Sequence, residues 1–316
     1  MSDGSSSADS VSENGQDELS DNSSYEDETL AVGGRSPVTS IFSTSSFVVE
    51  QNGRLYASRS SYPLPVDEQA QDEARLLHLV IASLVGDMYL PLLQDGSRIL
   101  DLACGSGTWA IDMGDKNPSC TVRGADIVPA FPEYVPPNVE FEIDDITLPP
   151  SYLEKFDFVH GNDIQLAIFD WSNFLFNCQN HLLNPGGVLQ ISGLIPLPHI
   201  PGYEEAMAHS FFWELRRASN RLGTPWDAPR HYKEMVEQAG FVNVQERIFH
   251  IPWSAWLANS DVAAMAGHAF GEWLCSSLPG MASRFLARED ASRLEYDMAT
   301  IRKQICEEKN VSFVCL

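Results

Sequence analysis

The chain has 316 residues, 44% of them hydrophobic and 10% aromatic, enough to bury one large core or two small ones. Its 44 acidic residues against 20 basic ones leave a net charge of −24, which repels a phosphate backbone and argues against DNA, RNA or anionic membranes as partners. No run approaches about 18 apolar residues, and the N-terminal stretch lacks a basic segment followed by an apolar one, so neither a membrane span nor secretion is expected.

Residues 1–45 are rich in Ser, Asp, Glu, Asn and Gly, too poor in large apolar side chains to offset the entropy of ordering. They are expected to form a disordered acidic tail, with a folded domain over 46–316. The cluster "YEDETL" reads as a solvated charge block, or as a contact for a basic partner. The tail carries no Lys/Arg cluster that would serve as a nuclear import signal. From Phe47 the composition turns globular, and "SSFVVEQNGRLYAS" alternates apolar residues around Asn52-Gly53, which predicts a hairpin. Asp67 is placed to cap a helix in which Ala74, Leu77, Ile81 and Leu84 share one face. Tyr56 and Tyr62, just before it, read either as lid residues or as aromatics packing the hairpin on the core.

Strands are predicted at Arg98–Ala103, Cys120–Asp126, Val139–Ile143, Phe156–His160 and Gly187–Ser192, with helices starting near Thr108 and Trp171. Strand and helix in turn imply an α/β fold with a mostly parallel sheet covered on both faces, because parallel strands need crossovers. "HYKEMVEQAGFVNVQERIFHI" predicts a helix ended by Gly240 and then a strand. Helical segments around Trp253–Leu278, a long helix at Glu289–Lys309 and a last strand in "VSFVCL" complete the chain. Trp213, Trp253, Trp256 and Trp273, with Phe211, Phe212 and Phe270, fall in this part and read as core, or as the wall of an apolar acceptor pocket. The cysteines, Cys104, Cys120, Cys178, Cys275, Cys306 and Cys315, are scattered without a C-x-x-C pair. They read as reduced thiols of a cytoplasmic protein, and no metal site is expected.

The chemistry concentrates in "RILDLACGSGTWAIDMGDKNPSCTVRGADI", Arg98 to Ile127. Gly105-x-Gly107-x-x-Ala110 with Asp126 downstream satisfies the dinucleotide pattern of a nicotinamide enzyme. Asp101 does not fit that reading, because the end of a buried first strand is ordinarily apolar where only glycines must approach a pyrophosphate. A cofactor with a cationic sulfonium and an ammonium group gains from carboxylates and has no phosphate to seat on a helix N-terminus. "VEFEIDDI" adds Asp144 and Asp145 at the same sheet edge, and no second mononucleotide-binding unit follows "LLNPGGVLQIS".

Taken in order, these motifs resemble the class I S-adenosylmethionine-dependent methyltransferases, which implies a Rossmann-like, mostly parallel seven-stranded sheet with an antiparallel edge strand. In that resemblance Asp101, Gly105 and Gly107 match the loop around the methionine part of the cofactor, with Ala103 where a first glycine is usual. Asp126 matches the acid that takes the ribose hydroxyls. Asp145, beside Asp144, matches the acid near the adenine amine, and Ile127 and Ile146 match the apolar contacts to the adenine ring. More narrowly, "VVEQNGRLYASRSSYPLPVDEQAQDEARLLHLVI", "VPPNVEFEIDDI", "FDFVHGNDI" and "DW" resemble the fungal LaeA-like methyltransferases. That family includes a nuclear regulator of secondary metabolism and many enzymes that methylate secondary metabolites. The resemblance therefore implies methyl transfer to a small-molecule acceptor, on O or N, or alternatively a nuclear regulator with a protein partner.

Methyl transfer from a sulfonium needs mainly alignment and exclusion of water, and a base only where the acceptor holds its proton. Candidates lie at the end of the fourth strand, "FVHGNDIQLA": His160 as a base or as a structural histidine, Asn162 as a contact to cofactor or acceptor, and Asp163 and Gln165 nearby. Trp109, just after the glycine turn, reads as a packing residue whose position permits contact with the cofactor.

Overall fold

The computed structural model describes residues 46–86 apart from 52, 59 and 61, then 93–195, 211–249, 251–252, 260–286, 296–297, 299–300 and 312–313. The expected acidic tail, Trp253 and Trp256, and most of the expected helix at Glu289–Lys309 lie outside the described residues.

Strands β1 (Val48–Gln51) and β2 (Arg54–Ala57) pair antiparallel with Gln51 opposite Arg54, and Gly53 takes φ +73°, as a tight hairpin requires. Asp67 then caps α1 (Glu68–Val85), its carboxylate accepting from the Ala70 N–H. The same carboxylate accepts from the Leu55 N–H and from two Arg54 nitrogens at 2.7 and 2.8 Å, tying hairpin to helix. Burial pushes the Asp67 carboxyl up, but these donors outweigh it and hold it below its ordinary range.

The central sheet holds β3 (Arg98–Leu102), β4 (Thr121–Asp126), β5 (Val139–Ile143), β6 (Phe156–Asn162) and β7 (Leu183–Ser192), in the order β5-β4-β3-β6-β7. All four pairings are parallel. Helix α2 (Thr108–Lys116) connects β3 to β4, and α3 (Trp171–Asn177) lies between β6 and β7. Successive residues of the central strands enter different cores, so the strands read as unbroken apolar runs. Ile99 and Phe158 pack with Trp109 and Met113 of α2. Leu100 and Val159 pack with Phe174 and Leu175 of α3.

The remaining helices are α4 (Phe211–Leu222), α5 (Tyr232–Gln238) and α6 (Asp261–Leu286). α1, α4 and α6 share a third core in which Leu77, Ile81, Phe212, Trp226, Phe270 and Leu274 are buried. Gly240 follows α5 with φ +93°, the helix stop expected from its sequence. Two outer strands follow it, as expected. Among the described residues Ile251–Pro252 (β8) and Ser312–Phe313 (β9) are extended, and they pair antiparallel with each other in a sheet separate from the five-stranded one. Among the described residues no helix is long and apolar enough to cross a membrane.

The chain runs outward from β3 to β4 and β5, then recrosses to β6 and β7, so its direction of travel reverses between β3 and β6. In an open parallel sheet that reversal opens a crevice at the carboxyl ends of the strands.

Candidate functional site

A cavity of about 250 Å³ occupies this crevice. β3 contributes Asp101 and the turn after it, β4 contributes Asp126 and Ile127, β5 is followed by Asp144, Asp145 and Ile146, and β6 brings His160 and Asn162. Of the residues that the sequence analysis matched to the cofactor loop, the ribose acid and the adenine contacts, together with His160 and Asn162, all but one therefore line one cavity. Gly107 does not.

The turn after β3 explains the exception. Ala103, Gly105 and Gly107 all have positive φ, at +52°, +56° and +76°. A Cβ on Gly107 would stand 2.2 Å from Cζ of Phe141, whereas one on Gly105 would meet only Gln71, at 3.5 Å. Gly107 is thus required by packing beneath the turn. Ala103 adopts a left-handed backbone, which strains a residue that carries a Cβ.

Gly105 also fixes Asp126. The Gly105 N–H donates to one carboxylate oxygen at 2.8 Å and the Val128 N–H to the other at 3.1 Å. A carboxylate has about four acceptor directions, so one on each oxygen stays available for a pair of donors. Burial raises this carboxyl above its ordinary range, and the N–H groups of Val128, Gly105 and Ile127 counter only part of the shift. Past β5, Asp144 accepts from the Asp145 N–H, while one oxygen of Asp145 accepts from the N–H and Oγ1 of Thr147 at 2.9 and 2.6 Å. These local turns hold both carboxylates at the cavity wall beside Ile127 and Ile146.

At the centre, Asp101 (2% exposed) and His160 (1% exposed) form a buried pair, Oδ1 to Nδ1 2.7 Å. They are neighbours in register across β3 and β6. The imidazole lies flat on Trp109, ring centroids 3.7 Å apart and planes 7° from parallel. Trp109 is therefore both a core residue and part of the cavity wall. Asp101 Oδ2 and His160 Nε2 are buried with no hydrogen-bond partner among the described residues.

Asn162 is engaged on both sides: its oxygen accepts from Ser192 Oγ and its amide donates to Asp163 at 3.0 Å. Asp163, with φ +54°, accepts from the Leu194 N–H at 2.6 Å, and burial raises its carboxyl. Gln165 is buried outside the cavity, donating to the Leu194 carbonyl, so it supports the loop and does not face a ligand.

Part of the cavity wall is apolar, lined by Leu77 and Ile81 of α1, Ile164, Leu194, Phe249 and Trp273 of α6. The two tyrosines divide. Tyr56 is core, stacked under Arg284 at 4.5 Å, while Tyr62 lines the cavity and its carbonyl accepts from Arg284 at 2.7 Å. Burial, then Asp163 and Asp126, raises the Tyr62 phenol far above its ordinary value, so it stays protonated. The sequence reading missed Gln71 and His78 of α1. Both line the cavity, and they fall three residues before and four after Ala74 on the edge of the same helical face, so helical spacing was the signal that could have found them.

The chain matches a family model described as a methyltransferase domain over residues 69–246. It is 30% identical over 233 residues to "Methyltransferase pytC" of Aspergillus terreus, covering 70% of each chain. It is 28% identical over 220 residues to "Secondary metabolism regulator LAE1" of Cochliobolus heterostrophus, covering 65% of this chain and 71% of that one. A solved structure, a putative sarcosine dimethylglycine methyltransferase from Galdieria sulphuraria, is similar at 14% identity and a TM-score of 0.42, over 80% of this chain and 90% of that chain.

Proposed function

The chain belongs to the methyltransferase-domain family, and we propose that it transfers a methyl group from S-adenosylmethionine to O or N of a small, largely apolar secondary metabolite in the cytoplasm. One observation carries this reading. Among the described residues the cavity is lined by the carboxylates of Glu73, Asp101, Asp126, Asp144, Asp145 and Asp163 against a single guanidinium, Arg75. Such a wall fits a cationic ligand and is mismatched to a pyrophosphate.

The residues present suit that cofactor. Asp126 keeps one acceptor direction on each oxygen for a ribose diol, and the orphaned Asp101 Oδ2 suits an ammonium group. Asp145, with Ile127 and Ile146, suits an adenine amine and its ring. When bound, S-adenosylmethionine supplies an electrophilic methyl on a positively charged sulfur. Leu77, Ile81, Leu194 and Trp273 then exclude water and hold the acceptor's apolar face against that methyl. Asn162, fixed by Ser192 and Asp163, orients the acceptor or cofactor at the boundary between the carboxylate and apolar walls.

Calorimetry with S-adenosylhomocysteine and with NADH tests the cofactor: binding of the first alone is expected, and binding of NADH alone overturns the assignment. A second reading is a nuclear regulator acting with a protein partner, favoured by relatives that carry the name "secondary metabolism regulator". Metabolite profiling after gene deletion separates the two. One unmethylated intermediate accumulates if the protein is a pathway enzyme, and many unrelated products disappear if it is a regulator.

A further inference from the structure

We propose that Asp101 and His160 work as one proton-linked unit, in which the charge on His160 decides how strongly Asp101 holds the ammonium group of the methyl donor. The inference rests on the cofactor assigned above and concerns how that site is regulated. With Asp101 ionised it can only accept, so in the 2.7 Å contact His160 Nδ1 carries the proton and donates it. One oxygen of Asp101 is thereby oriented, and the other, buried and unpartnered, stays free for a cation.

The remaining ring atom, Nε2, is also buried and unpartnered. With Nε2 unprotonated the pair carries one negative charge and attracts an ammonium. With Nε2 protonated the pair is neutral, and a buried cation faces the incoming one. Binding therefore expels the Nε2 proton to solvent, and affinity falls with falling pH wherever Nε2 takes that proton up. His160 acts through Asp101 and is a positioning residue.

Other charges face the pair. Asp126 at the end of β4 and Cys104 in the glycine turn both interact with Asp101. His78 of α1 interacts with both members, and lies 3.4 Å from Asp112 of α2. Burial depresses the protonation of His78, so it is the second group whose titration must be separated.

The test measures Kd for S-adenosylhomocysteine by calorimetry between pH 5.5 and 7.5, in wild type, His160→Asn and His78→Gln, with thermal unfolding as the check on folding. Asn supplies an N–H for the Asp101 contact and does not titrate. Wild type and His78→Gln are expected to lose about tenfold in affinity per pH unit on the acid limb, the slope for one released proton. His160→Asn is expected to bind with little pH dependence. Should His160→Asn fail to fold, titrations of His78→Gln on the acid limb in two buffers of different ionisation enthalpy still read the proton count, expected above zero. A flat wild-type profile, an equal slope in His160→Asn or zero proton release overturns the proposal. Absence of binding at every pH overturns the cofactor assignment, and the linkage with it.

Discussion

Gly107→Ala isolates what the turn after β3 requires. The left-handed backbone costs an alanine about 1–2 kcal/mol, partly offset by the about 0.4–1 kcal/mol gained from a less flexible unfolded chain. The new Cβ would also stand 2.2 and 2.5 Å from Cζ and Cε1 of Phe141. That ring has nowhere to retreat: it stacks on Phe131 at 4.8 Å and lies over Gly124, where a Cβ would also come within 2.5 Å. Overpacking of this kind costs about 1–3 kcal/mol, so the whole change is expected to destabilise the protein by about 2–4 kcal/mol. Gly105→Ala carries only the backbone part and is expected to cost about 0.5–1 kcal/mol. Ala103→Gly relieves the same strain and is expected to stabilise by a similar amount. Urea unfolding of the three variants measures the series, and Phe141→Leu in the Gly107→Ala background is expected to recover more than half of the loss. Equal losses at 105 and 107, or no recovery with Phe141→Leu, would refute the argument that Gly107 is a packing glycine.

Asp126→Ala removes the acceptor for a pair of hydroxyls and is expected to weaken S-adenosylhomocysteine binding by about 1.5–3 kcal/mol, roughly 10- to 100-fold, by calorimetry; unchanged affinity in a folded variant would contradict the placement. The Asp67 carboxyl is held low in the folded state, so its stabilisation is complete above the ordinary carboxyl range and is lost as pH falls through the folded value. Asp67→Asn should accordingly be less stable than wild type at pH 7 in urea unfolding, with the difference shrinking toward pH 3. Arg284→Ala loses the contact over Tyr56 and the bond to the Tyr62 carbonyl, and is expected to cost about 1–2 kcal/mol in urea unfolding.

Much of the site was legible because its determinants are short and local. Asp101, Asp126 and Asp144–Asp145 each end a strand, and a strand's carboxyl end in a parallel sheet is where ligands bind, so motif and location coincide. The hairpin, the Asp67 cap and the Gly240 stop were legible for the same reason, each being settled within a few residues.

What pattern alone left open is long-range. The outer strands at residues 251 and 313 are 62 positions apart, and nothing local states whether they join the sheet or each other. His160 reads equally well as a base or as a core histidine until the register of β3 and β6 sets it beside Asp101 and the first turn of α2 lays Trp109 over its ring. Gln71 and His78 border the apolar face of α1 at helical spacing from Ala74, and that spacing does not say whether the edge of the face meets core or cavity. The sequence by itself determined the strand-and-helix alternation and the carboxylate-rich edge, because hydrophobic period and short motifs are properties of neighbours along the chain. Only the tertiary structure decided which of those carboxylates is paired, which is free and what closes the apolar side, because these depend on residues that packing brings together across the sheet and from the covering helices.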